Sequence, residues 1–309
     1  MSRDRWSLVA VVATMVVWGL NFPFVKYVLD QIGVGAFLFI RFAALPLLGL
    51  ALLAIVFRGR LARTWPKRAD LPRFVLCALV GHTVHIAAVM AGMNLSTAFS
   101  SSLVLMSGPL FTLVILAALG AERLGGRQIA GTLIACAGIA LFLSDKFAGG
   151  RAHAGYGDLL LIVAALCFSL YTVLAQPITK RYGPLIVLSY TLLFSAPPIL
   201  LLNFGAFLRI DPAQLTPLVW LGMVWALVLS SFMGWMAWGW ANAVRGVARC
   251  APFNYLMPPI AGFSAWLTLG EHFTWLKVLG AAVTMAGVAW AQFGSGRPPP
   301  REAVQPDTA

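Results

Sequence analysis

Charge is what this sequence has least of. Only 10% of its 309 residues are charged, and Asp and Glu together number ten. Globular chains carry about a quarter charged residues, so a water-soluble domain with this surface is excluded. Acids this sparse also argue against a carboxylate dyad, and no HExxH, GxSxG or GxxxxGK[ST] pattern occurs. The chain therefore reads as no enzyme. Cys77, Cys136, Cys167 and Cys250 stand singly with no CxxC pair, which excludes a disulfide framework and a zinc site; they read as small packing residues. No cofactor or metal is expected.

What the chain has is apolar length. It is 60% hydrophobic with a mean hydropathy of +0.86. Ten apolar runs follow almost without pause: 7–28, 34–57, 74–92, 98–119, 127–144, 156–175, 185–205, 216–240, 247–269 and 274–293. Each is close to the length that crosses a hydrocarbon core of about 30 Å. The expected fold is an all-α polytopic membrane protein with ten transmembrane helices in the lipid bilayer. The first run carries Trp18, Asn21 and Lys26 and is followed by nine more, so it is not read as a cleaved signal peptide. Residues 294–309, with Pro298-Pro299-Pro300, read as a disordered cytoplasmic tail.

The net charge of +12 is unevenly spread. Arg3, Arg5, Arg58, Arg60, Arg63, Lys67, Arg68, Arg73, Arg123, Arg127, Lys180, Arg181, Arg245, Arg249, Arg297 and Arg301 fall on one side of the predicted spans. Lys26, Lys146, Arg151, Arg209 and Lys277 fall on the other. The positive-inside rule then puts both termini in the cytoplasm of an inner-membrane, multi-pass protein. These cations are topology signals, and no nucleic-acid partner is expected.

The chain repeats itself. Pro109, Glu122, Gly131 and Gly138 recur as Pro258, Glu271, Gly280 and Gly287, one shift of about 149 residues. A repeat with an odd number of spans inserts upside down the second time, an arrangement of secondary transporters with the substrate site between the halves. The domains are a cytoplasmic N-terminus, 1–5, and two inverted five-helix repeats, 6–144 and 155–293.

The series Trp18-Gly19-Leu20-Asn21-Phe22, Lys26, Arg41-Phe42, Glu122-Arg123-Leu124 and Gly131 to Gly138 resembles the EamA-type branch of the drug/metabolite transporter superfamily, with a particular similarity to O-acetylserine/cysteine exporters. The resemblance covers about 6–293. It implies helices around a central cavity, small-molecule substrates and export by alternating access without ATP hydrolysis. The second half departs from the pattern, with Phe168-Ser169 and Tyr171 for Trp18-Gly19 and Asn21, and Tyr190 for Arg41.

The candidate site residues each carry two readings. Pro109 and Pro258 interrupt helices 4 and 9 at matching positions, either lining the pathway as helix breaks or kinking the helices for packing. Glu122 and Glu271 read as helix caps at opposite membrane faces. Arg41 either meets a substrate carboxylate or pairs with Asp30 or Asp158. Asn21 and Trp18 are cavity candidates, and Gly19 allows close approach of a helix or a ligand. His82 and His85, three apart on one face, suit a cavity with proton coupling, or neutral hydrogen bonding between helices. Trp235 and Trp238 share a face that either lines the cavity or meets lipid, the lipid reading being the stronger, while Trp220 and Trp240 suit interfacial belts. Asn254 and Tyr255 are candidate polar wall residues. Gly131, Ala135, Gly138, Gly280 and Gly287 make helices 5 and 10 a scaffold and a surface for a homodimer. The expected function is export of amino acids or derivatives; hydrophobic-drug or nucleoside export and a non-transporting scaffold are the alternatives.

Overall fold

The computed structural model describes residues 3–120, 125–148 and 152–293. Turns made of single glycines set its layout. Gly33, at φ 74° and ψ 163°, interrupts the 54-residue helical stretch Arg3–Val56 and divides it into α1 (3–32) and α2 (34–56). Gly183 does the same at φ 84° and ψ 158°, between α6 (Ala152–Tyr182) and α7 (Pro184–Phe207). A side chain at either position would crowd the following carbonyl, so glycine permits a reversal with no loop. Both repeats thus open with the same one-residue joint.

The remaining helices are α3 (Leu71–Leu95), α4 (Ala98–Ala118), α5 (Gly126–Ala148), α8 (Pro217–Arg245), α9 (Met257–Leu269) and α10 (Trp275–Phe293). Among the described residues the chain is helical with no strand. Six helical segments are long and apolar enough to cross a membrane, the first being the double-length 4–56 stretch; Ile129–Phe142 and Trp275–Trp290 are shorter apolar helices. Leu201 and Leu202 are each 81% exposed, a cost in water that lipid removes.

Two matched irregularities shape the interior. α3 contains a π-helical turn over Ala78–Val84 and α8 contains another over Trp225–Met233. Such turns insert an extra residue, rotate the following side chains and free carbonyls from the helical ladder. The expected single rod over 247–269 is also broken: Val247–Cys250 is one helical turn and Ala251–Leu256 is 3₁₀ before α9 begins. In α4 the first part ends at Leu105 and the second starts at Gly108. Pro109 and Pro258 both sit in the first turn after their break, where a missing N–H costs nothing. The Gly108 carbonyl, next to the break, accepts from Ser169 Oγ at 2.7 Å across the two halves.

α5 and α10 pack on each other through glycine. A Cβ on Gly138 would lie 2.4 Å from Thr284 N, and one on Gly287 2.4 Å from Ala135 N. The small faces expected to serve a scaffold or a homodimer are therefore used within one chain.

Polar ties join the halves at both ends of the bundle. Glu271 accepts from the N–H groups of Ala98 (2.7 Å, Oε1) and Phe99 (3.2 Å, Oε2). It does cap a helix, but α4 of the other repeat rather than the helix that follows it, since the α4 start offers free N–H groups beside it. Glu271→Ala is expected to lower stability by about 1 kcal/mol and Glu271→Gln by less, read by thermal unfolding in detergent. Glu122, Arg123, Arg151 and the 294–309 tail lie outside the described residues.

At the other end, Arg181 pairs with Asp70 at 2.8 Å and Arg245 with Asp4 at 2.9 Å. The Tyr182 hydroxyl donates to Asp70 as well. That hydrogen bond, followed by the Arg181 charge, holds the Asp70 carboxyl below its ordinary 3.8. The folded value lies below the unfolded one, so this tie contributes fully above pH 3.8 and is lost only as pH falls through the lower folded value. Transport rates between about pH 5 and 8 are accordingly expected to show no titration of Asp70, and Asp70→Asn should leave the shape of that profile unchanged.

Candidate functional site

Where α1, α2, α3, α6, α8 and the 3₁₀ stretch before α9 meet, a cavity of ≈100 Å³ lies in the bundle interior. Its walls are mostly apolar, from Phe22, Ile86, Val89, Met90, Met93, Leu105, Phe168 and Met257. The polar exceptions are Asn21, Arg41, His85, Ser230, Ser231 and Asn254. Among the described residues, no Asp or Glu lines it.

Arg41 is 4% exposed. One guanidinium nitrogen donates to Ser231 Oγ, and the Nε has no partner. Neither acid expected as a structural mate reaches it. Asp30 pairs with Lys26 at 3.3 Å, and Asp158 accepts from Ser96 Oγ at 2.9 Å. Ser231 donates in turn to the Ala226 carbonyl, five residues back. The π-helical turn thus fixes the hydroxyl that fixes the guanidinium. The neighbouring Ser230 carbonyl accepts from Trp18 Nε1 at 2.9 Å. Buried Asn21 Oδ1 and Asn254 Oδ1 are without partners, two bare acceptors in the same wall as a bare donor.

His85 lines the cavity, with Nδ1 2.8 Å from the Ala164 carbonyl. A carbonyl only accepts, so Nδ1 carries the proton. His82 lies behind the wall. Its Nε2 is 3.1 Å from Thr191 Oγ1, a hydroxyl already donating to the Val187 carbonyl at 2.8 Å, so the imidazole donates there. The Trp235 ring separates the two histidines, with centroids 4.6 Å from His82 and 5.6 Å from His85.

Of the residues singled out in the sequence, Trp18, Asn21, Arg41, His85, Trp235 and Asn254 share this wall. Trp235 and Trp238 are buried in the core rather than turned to lipid, because the π-helical turn swings the face of α8 inward. Trp238 sits a turn beyond the cavity and donates to Thr172 Oγ1 at 3.3 Å. Tyr255 points away into a second core cluster with Phe99 and Phe142, since a 3₁₀ stretch turns adjacent side chains by about 120°. Gly19 serves helix packing: a Cβ there would meet Ile260 Cβ at 2.8 Å. Pro109 and Pro258 are buried but do not line the cavity. Sequence reasoning passed over Ser230, Ser231 and Phe168; a signal existed for Ser231, the repeat mate of His82.

Residues 5–144 and 155–292 each match the EamA-like transporter family. The chain belongs to that family. Its members are transporters, and this chain is a multi-pass membrane protein of the drug/metabolite transporter type. Among similar proteins is a probable terminal-alkyne amino-acid exporter of Streptantibioticus cattleyicolor, 30% identical over 93% of each chain. Probable amino-acid metabolite efflux pumps of Escherichia coli K12 and Salmonella typhimurium LT2 are 27% and 29% identical, each over 95% of this chain and 96% of their own. One crystal structure, 18% identical, superposes with a TM-score of 0.67 over 96% of this chain and 100% of that one. That likeness concerns the fold alone.

Proposed function

We propose that this EamA-family member exports small zwitterionic metabolites, amino acids and derivatives such as O-acetylserine and cysteine, by alternating access across the inner membrane. The observation that carries the reading is the pairing of a bare, buried Arg41 Nε with bare Asn21 and Asn254 oxygens in one apolar chamber. A carboxylate suits the guanidinium and an ammonium suits the amide oxygens, while aromatic faces at Trp18, Phe168 and Trp235 offer cation–π contact. The amino-acid exporter and efflux-pump names of full-length relatives support the same class. Drug-sized ligands occupy pockets of about 300–1,000 Å³, against ≈100 Å³ here, and a cationic drug would face Arg41 with no acid to balance it.

Ion pairs of Asp4 and Asp70 with Arg245 and Arg181 gather those four residues at one end, which suits a cytoplasmic basic face with both termini on it. His85 acts on this reading as a wall residue held by the Ala164 carbonyl. Counterflow in proteoliposomes with L-alanine, L-serine, L-cysteine and O-acetyl-L-serine tests the proposal. At least one is expected to exchange about 100-fold faster than its decarboxylated amine, which lacks the contact with Arg41. Equal rates for acid and amine, or no protein-dependent flux at all, would remove it.

A further inference from the structure

The wall of the central cavity changes character along the bundle axis. Two of the segments that line it run in the same direction, away from the end that carries Asp70 and Arg245. α3 starts beside Asp70, which Arg181 holds, and ends at Leu95. The stretch 251–269 starts just beyond Arg245, which Asp4 holds, and ends beside Glu271, the cap of α4 at Ala98. Along both, the lining passes from polar to apolar in that direction. On α3 it is His85 first, then Val89, Met90 and Met93; on the other stretch it is Asn254, then Met257. Met93 stands two turns past His85, about 12 Å along the helix axis.

The apolar end has nothing to offer a hydroxyl. Val89, Met90, Met93 and Met257 are buried, and their only heteroatoms are thioether sulfurs, which are weak acceptors. The bare donor of Arg41 and the bare oxygens of Asn21 and Asn254 are taken up by the zwitterion on the amino-acid reading. A side-chain O–H brought against the methionines gives up water without gaining a partner. A methyl group of the same size gains apolar burial instead, and unbranched methionines adapt to its shape. Nor is this face demanded by the repeat. One shift of about 149 residues later, the positions of Val89, Met90 and Met93 hold Trp238, Gly239 and Asn242. The methionine face belongs to the first half only, as the bare Arg41 does.

We propose that this end of the cavity is the side-chain subsite of the transport site, that it takes α-amino acids with apolar side chains free of hydroxyl groups, and that Val89, Met90 and Met93 set the preference. The zwitterion stays at the polar end, and the side chain runs along α3 toward Met93. The inference rests on the amino-acid reading of the central cavity. Of the four amino acids named above, L-serine alone carries a side-chain O–H and should exchange slowest.

Counterflow of near-isosteric pairs tests the subsite, because size then cancels. L-Norvaline is expected to exchange about tenfold faster than L-homoserine, and L-valine about tenfold faster than L-threonine, the effect of one unpartnered hydroxyl. Val89→Thr and Met90→Gln each put a hydrogen-bonding group into the wall. Both should bring the two ratios below about threefold by raising the rates of L-homoserine and L-threonine, a gain that a misfolded chain does not show. The preference for amino acid over decarboxylated amine belongs to Arg41 and should persist in both variants. Equal rates within each pair overturn the subsite, and the amino-acid reading survives that result as long as acid still outruns amine. Ratios that stay near tenfold in both variants overturn it too, since the preference would then arise elsewhere in the wall. If no amino acid exchanges at all, the amino-acid reading fails and the subsite falls with it.

Discussion

Arg41→Ala is expected to lower amino-acid counterflow about 100-fold while leaving the protein as stable as before, or more so. The two halves of that expectation have separate causes. Among the described residues the guanidinium is the only cation lining the central cavity, and losing a charge-assisted contact with a carboxylate costs about 2.7 kcal/mol, or two decades. For folding the account reverses. A buried arginine with a bare Nε and no acidic partner among the described residues adds an insertion cost of up to about 2.5–3.5 kcal/mol, which alanine removes. A residue kept for structure would show the opposite pattern. Arg41→Lys retains the charge but not the planar fork, so activity should recover only to about a tenth of the starting rate. Ser231→Ala leaves the guanidinium unanchored and should cost about fivefold. Counterflow rates and detergent unfolding temperatures, measured on the same preparations, decide the matter; an unfolding temperature that drops together with the flux would assign Arg41 to the fold.

Arg41 also marks how far the sequence could be read. A charge inside an apolar helix is visible without coordinates, because so little else there is polar; Asn21 and Asn254 are visible for the same reason. The span pattern and the recurrence of Pro109 and Gly138 at Pro258 and Gly287 are likewise one-dimensional signals. What stays hidden is rotation. The π-helical turns over Ala78–Val84 and Trp225–Met233 change the phase of α3 and α8 without changing composition. Hence His82 falls behind Trp235 while His85 meets the cavity, and Trp235 and Trp238 of α8 turn inward rather than to lipid. Asn254 and Tyr255 are neighbours in sequence and face different clusters, since a 3₁₀ stretch separates them by a third of a turn. The partner of Glu271 was hidden for another reason. Its cap is taken at Ala98 and Phe99, and no local pattern announces a contact across the two repeats.

The glycine seam supplies the contrast to Arg41. Gly138→Val and Gly287→Val are each expected to destabilise the fold by about 3 kcal/mol, at the upper end of overpacking costs. The obstruction is backbone, not a flexible side chain: a Cβ on Gly138 would lie 2.4 Å from Thr284 N, and one on Gly287 2.4 Å from Ala135 N and 2.8 Å from Gly131 O. No rotamer change relieves such contacts, so α5 and α10 must part along their length. Once one valine has forced them apart, the second meets a seam already opened, and the double variant should lose clearly less than the sum of the two. None of the described residues of either helix lines the central cavity. Molecules of either variant that remain folded should therefore bind substrate with the affinity of the unaltered chain, while the folded fraction in detergent falls. Unfolding temperature and folded yield report the seam; substrate affinity per folded molecule reports the cavity. An affinity that fell in step with yield would mean that α5 and α10 shape the chamber from a distance, and that the bundle does not divide into a scaffold and a site.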